Sequence, residues 1–267
     1  MAKSKSKAKS KSAAKSKSEA KNKAKDKVKA KDKARAKSKD KAKSKSKSKS
    51  KAAAASKAKA VSTPKPRPRL IYFDAPVSRG EECRLALHLA GIDFEDVRIA
   101  RGDWQALKPT MPFGSLPVLE IPGQPALGQS NAILVLIGRR HGLHPKDDFE
   151  AARHEAVMSH AEDLRANVSP ALRISDETEK KKARAALAET YLPTWAAYTE
   201  RQISDRGPFF AGKKLYVVDL KLHRIVHWFA SGIIDHIPPD VFAPFPKLNR
   251  VYSAVHEHKG VKAWYTK

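Results

Sequence analysis

The chain has 267 residues, with 54 Lys and Arg against 28 Asp and Glu and a formal net charge of +26. A single cysteine, Cys83, excludes an internal disulfide, and no apolar run approaches the roughly 20 residues of a membrane-spanning helix. The charge is unevenly placed: residues 1–69 hold 28 basic and 4 acidic side chains, net +24, while the rest hold 26 and 24, net +2.

Residues 1–60 repeat Lys-Ser and Lys-Ala, with Val28 as the only branched apolar side chain. Such a segment has nothing to bury and repels itself, so it is expected to be a disordered basic tail. Residues 61–69, VSTPKPRPR, read as a stiff polyproline-like spacer. The tail would release many counterions on nucleic acid or another polyanion. No aromatic residue interleaves its lysines, which argues against base stacking. A membrane tether, a nuclear-import signal and plain solvation are the other readings. No secretory segment is visible, and the lone thiol suits a reducing compartment, so cytoplasmic placement is expected. Nuclear or nucleoid association through the tail is the alternative.

The body opens with a strand at 70–73, a helix at 84–90 stopped by Gly91, and a strand at 94–99. Asp103 caps a short turn on which Trp104 and Lys108, four apart, share a face. Residues 118–121 form a short buried strand entered through Pro117. A turn at Pro122, Gly123 and Pro125 leads to a return strand at 126–128. Ser130 is expected to N-cap a helix that ends at Gly142 after a basic last turn. Beyond Pro145 the pattern is helical throughout, at 148–168, 177–204, 217–231 and 247–265. The domains are therefore 1–69, a tail and linker; 70–144, an α/β unit; and 145–267, an all-helical unit.

The stretch 111–137, MPFGSLPVLEIPGQPALGQSNAILVLI, builds a binding site from backbone groups. A helix start offers free amides to an anion, and an exposed Leu116 backbone can pair with an extended peptide. Together they suit a small anionic peptide; an ordinary hairpin followed by an ordinary helix fits the same residues.

The body resembles the cytosolic glutathione transferases, the sigma class most of all. The resemblance covers residues 70–267. It is carried by Tyr72-Phe73, by Arg79-Gly80-Glu81-Glu82-Cys83-Arg84, by Asp103-Trp104-Gln105-Ala106-Leu107-Lys108-Pro109, by Met111 to Leu119, and by Gln129-Ser130-Asn131-Ala132-Ile133. It implies a thioredoxin-like α/β N-terminal domain, an all-α C-terminal domain and a homodimer. It implies that Tyr72 donates a hydrogen bond to the glutathione sulfur and that Arg79 adds a positive field there. Glutathione would be held by Trp104, Lys108, Leu116, Pro117, Gln129 and Ser130, with Asp163 reaching over from the partner subunit. The partners would be glutathione, as cosubstrate, and an electrophilic small molecule; no metal or cofactor is expected. The expected activity is attack of the glutathione thiolate on electrophiles, or a glutathione-dependent isomerisation. A non-catalytic binding protein of the same fold is the alternative.

Residues 74–78 make the loop after Tyr72 one residue longer than the sigma pattern, which makes Ser78 a rival hydroxyl. Phe113 would key into the partner subunit. Asp219 would cap its helix, although Tyr216 stands where a Ser or Thr is usual. The second substrate would lie near residues 158–171, Trp264 and Tyr265. Cys83 and the His223/His227 pair read as packing residues.

Overall fold

The computed structural model describes residues 66–266. The expected basic tail and the start of the Pro-rich spacer lie outside them. Four strands, β1 (Arg69–Phe73), β2 (Glu95–Ile99), β3 (Val118–Glu120) and β4 (Leu127–Gly128), form one sheet in the order β2-β1-β3-β4. β1 and β2 run parallel because helix α1 (Ser78–Leu89) crosses over between them; the β1–β3 and β3–β4 pairs are antiparallel. A short helix α2 (Trp104–Leu107) follows β2, and α3 (Ser130–His141) follows β4. α3 ends as expected, on Gly142 at φ 72° after Arg139, Arg140 and His141.

Alternation along β1 sends its side chains to opposite faces. Leu70 joins Cys83, Leu85, Leu119, Ile133 and Leu134 in the main core. Ile71 joins Ile99 and Val118 on the other face, with Phe73, Trp104 and Leu116 packed around them.

The helical part is α4 (Asp148–Val168), α5 (Glu177–Ala186), a π-helical turn (Leu187–Tyr191), α6 (Leu192–Gln202), α7 (Val217–Ala230), α8 (Pro246–His256) and α9 (Lys259–Tyr265). α7 is central, with every residue from 217 to 226 buried. The expected thioredoxin-like α/β unit followed by an all-helical unit is the observed architecture.

Three boundaries differ from expectation. α1 begins at Ser78 rather than Arg84, because its polar first turns are buried among partners: Glu81 accepts from Trp264 and Arg84, and Glu82 accepts from Arg165 and Lys221. The segment at 247–265 is two helices. His258 is extended and its Nδ1 accepts the Gly260 N–H, while a Cβ at Gly260 would come within 2.6 Å of Leu89. The break thus lets α9 seat closely on α1. Ser130 is not the N-cap of α3. Gln129 takes that place at φ 71° with no side-chain cap, and the Ser130 hydroxyl is engaged by Lys221.

Asp219 caps α7 without a Ser or Thr. Its carboxylate accepts the N–H of Phe210 at 2.6 Å and of Tyr216 at 2.8 Å, while burial pushes its pKa up to about 7.

Candidate active site

Tyr72 comes from β1, on the Leu70 face, and is 7 % exposed. Its ring lies flat on α1 because residue 80 is glycine: a Cβ there would be 2.0–2.6 Å from three ring carbons. The Arg84 guanidinium sits 5.7 Å from the ring centroid. Burial raises the phenol's pKa, opposed by the fields of Arg79 and Arg165; Glu82 adds to the rise, and a hydrogen bond with the Ser78 hydroxyl counters it. The net rise keeps the phenol protonated near neutrality, so it is a hydrogen-bond donor.

Ser78, the rival hydroxyl, therefore adjoins the phenol. It opens α1 at φ 53°, a left-handed conformation that costs about 1 kcal/mol or more for a non-glycine residue.

Gly80→Ala tests this seat. Alanine favours a helix by about 1 kcal/mol over glycine. Here the added methyl meets carbons near the root of the ring, which cannot swing away without carrying the hydroxyl with them. The expected result is a net stability loss of about 1–3 kcal/mol by denaturant titration, with at least about a tenfold fall in turnover, the scale of one lost interaction.

Arg79 does not stand free. Its Nε and a terminal nitrogen hold Glu162 at 2.7 and 2.6 Å. Glu162 also accepts from Lys221 at 2.5 Å and Arg165 at 2.6 Å. Behind it, Glu82 accepts from Lys221 at 2.8 Å and Arg165 at 3.0 Å. Lys221 and Glu82 are fully buried, and Arg165 is 2 % exposed. Burial alone would raise the Glu162 pKa, but Lys221, Arg165 and Arg79 hold it down at about 2. The cluster thus carries three cations and two carboxylates, a net +1 beside the phenol, spanning α1, α4 and α7.

Sequence reasoning missed Glu82, Glu162, Arg165 and Lys221 as site residues. A partial signal was present: in VVDLKLHRIV, Asp219, Lys221 and Arg224 alternate with branched apolar residues around the whole helix, and charges so placed are seldom buried unless paired.

On the β3 side, the peptide Leu116–Pro117 is cis and Pro117 is buried. The antiparallel register ends at Ile71 paired with Val118, so Tyr72 and Pro117 are the next residues beyond the last pair on their two chains, and Leu116 follows. Gln129 is exposed at the start of α3, and Ser130, 4 % exposed, has its oxygen 3.4 Å from Lys221 Nζ. Trp104 is half-buried, its ring 5.8 Å from that of Phe73. Lys108, one turn on, is exposed and runs past Gly114. Asp163 is exposed on α4 beside Glu162, where its charge acts on Tyr191 in the same chain.

Several other groups pack rather than line an opening. Met158, Leu164 and Val168 are in the core. Trp264 donates to Glu81 and stacks on Phe94. Tyr265 remains near the loop after Tyr72 through Arg224, which donates to its hydroxyl and to the Pro76 carbonyl. Cys83 is fully buried, and burial pushes its thiol pKa up. His223 and His227 stack with Tyr252, and burial lowers their pKa values to about 3 and about 4.

The model of the glutathione S-transferase N-terminal domain matches residues 68–139, and that of the C-terminal domain matches residues 162–267. The chain belongs to the glutathione S-transferase family. Glutathione S-transferase 1 of Ascaris suum is 32% identical over 207 residues, covering 74% of this chain and 95% of that protein. The solved prostaglandin synthase D of Nilaparvata lugens superposes with a TM-score of 0.67 at 28% identity, covering 76% of this chain and 98% of that one. The glutathione S-transferase of Ascaris lumbricoides gives 0.60 at 32% identity, covering 75% and 97%. The expectation of a glutathione transferase, an enzyme, agrees with these relatives, and the non-catalytic alternative is not favoured. No helix among the described residues of this transferase is long and apolar enough to cross a membrane.

Proposed function

We propose that this chain activates the thiol of glutathione through Tyr72, for attack on an electrophilic small molecule. The observation that carries the reading is the protonated phenol, fixed over Gly80 at the end of β1 beside a net-positive ionic cluster. A free thiol is only a few per cent ionised near neutrality. Lowering its pKa by about two units asks for roughly 2.7 kcal/mol, and one hydrogen bond to a charged group supplies about 1.5–3 kcal/mol. The thiol proton leaves to solvent. The sulfur then bonds to the electrophilic carbon as that carbon's leaving group departs with its electron pair.

Glutathione would lie as an added strand on Leu116. Its γ-glutamyl end would meet Gln129 and Ser130, its glycyl carboxylate Lys108 and Trp104, and its amine the partner subunit's Asp163. Arg79 would act through its field rather than by contact, since its guanidinium is held by Glu162.

The finer assignments belong to the same proposal. Similarity to a prostaglandin synthase supports the sigma class and an isomerase branch. The homodimer is supported by Phe113, 66 % exposed, and by a depression of about 720 Å³ between α4 and α6, lined partly by Val157, Ala156 and Tyr198, that suits an aromatic key. The boundaries 1–69, 70–144 and 145–267, a detoxifying role and cytoplasmic placement complete the reading. Titration calorimetry with millimolar glutathione tests it, followed by conjugation to an aromatic halide; absence of binding heat would remove it.

The tail is proposed to tether the enzyme to nucleic acid or another polyanion. The full chain is expected to bind DNA or RNA with a steep loss of affinity on adding salt, and residues 61–267 alone are not. Equal retention of the two on a polyanion column would end that idea.

A further inference from the structure

Lys221 is a fully buried cation in the middle of α7, and its three N–H groups meet three acceptors: Glu162 at 2.5 Å, Glu82 at 2.8 Å and the Ser130 hydroxyl at 3.4 Å. The first two contacts neutralise it. The third reaches out of the helical part to the first residue of α3, in the α/β part.

An ammonium group has donors and no acceptor, so the Ser130 oxygen can only be accepting in this contact. A hydroxyl that accepts from one side keeps its own proton for another acceptor. Among the described residues no protein acceptor takes that proton. Ser130 is also the first residue of α3, whose free starting amides, with the net +1 cluster, favour an anion there.

We infer that Lys221 is a positioning residue for glutathione: by holding the Ser130 oxygen, it leaves the hydroxyl proton to donate to the γ-glutamyl carboxylate. The inference rests on the reading above that this end of glutathione sits at Gln129 and Ser130. Lys221 itself does not touch the ligand. It acts from beneath, through Ser130, and sets affinity for glutathione rather than the chemistry at sulfur.

The test uses the full chain. Lys221→Met keeps an unbranched stem, one atom shorter, and removes the donor. Lys221→Met/Glu82→Gln removes the donor together with one of the two carboxylates it neutralises, and guards against a folding failure. Each is compared with the unaltered protein by glutathione calorimetry, thermal melting and steady-state kinetics with an aromatic halide. The expected result is a rise of about tenfold in Kd and KM for glutathione, the scale of one hydrogen bond to a charged group, larger than any fall in kcat and with KM for the halide unmoved. In a Ser130→Ala background, Lys221→Met is expected to cause no further loss.

A folded Lys221 variant that binds glutathione as well as the unaltered protein overturns the inference and leaves the proposed function standing. An equal further loss in the Ser130→Ala background also overturns it, because Lys221 would then act independently of that hydroxyl. No glutathione heat from the unaltered protein removes the binding reading and the inference together. If neither Lys221 variant folds, Lys221→Arg decides, since it keeps a charge for both carboxylates but not the ammonium at Ser130: unchanged glutathione affinity overturns the inference, and a tenfold loss at unchanged melting temperature supports it.

Discussion

Tyr72→Phe is expected to lower kcat for glutathione conjugation by about 10- to 100-fold, with little change in KM for glutathione. The substitution keeps the ring, its seat on Gly80 and its contacts with Phe73 and Arg84, and deletes only the hydroxyl. What is lost is one hydrogen bond to a developing thiolate, about 1.5–3 kcal/mol, and each 1.4 kcal/mol is a factor of ten in rate. The loss should be largest below the free thiol's pKa, where the wild-type enzyme alone keeps sulfur ionised. A shift of the pH–rate curve towards the free-thiol value, measured with an aromatic halide, is the accompanying signature. Full activity would move the assignment to Ser78, whose hydroxyl adjoins the same phenol.

Glu82→Leu is expected to cost about 3–5 kcal/mol of stability, because it leaves the buried Lys221 and Arg165, together with Arg79, sharing the single carboxylate of Glu162. For a folded body of about 200 residues that is roughly 6–20 °C in Tm. Glu82 is fully buried and accepts from both Lys221 and Arg165, so neither cation can turn to water when it goes. Adding Lys221→Met should recover most of the loss, since an apolar pair tolerates burial where a single charge does not. Calorimetric melting of the two variants checks both halves. A single variant that melts like the parent would show that water reaches this cluster.

The fold was legible because its signals are local. Proline-bounded strands, the glycine stop at Gly142 and the helical periodicity after Pro145 each depend on neighbours a few residues away. Tyr72, Arg79, Gln129 and Ser130 came forward in the same way, as members of short ordered patterns. Asp219 was legible as a cap for the Tyr216 N–H, but its second donor was not, because the Phe210 N–H lies nine residues away across a loop.

The ionic cluster was illegible. Glu82, Glu162, Arg165 and Lys221 read singly as ordinary charges on helices, and only packing of α1, α4 and α7 makes them one group. Ser130 was misread for a related reason. Its residue type is right for a cap, yet a lysine 91 residues away competes for its oxygen.

The order of strands and helices and the separation of a +24 N-terminal stretch from a near-neutral body follow from the amino acids alone, because composition and short-range periodicity determine them. Tertiary structure decided which charges are buried together, which way the Ser130 hydroxyl is held and what sets the proton on Tyr72. Those depend on desolvation and on distances of 3 Å between residues far apart in the chain, and no spacing in the sequence encodes them.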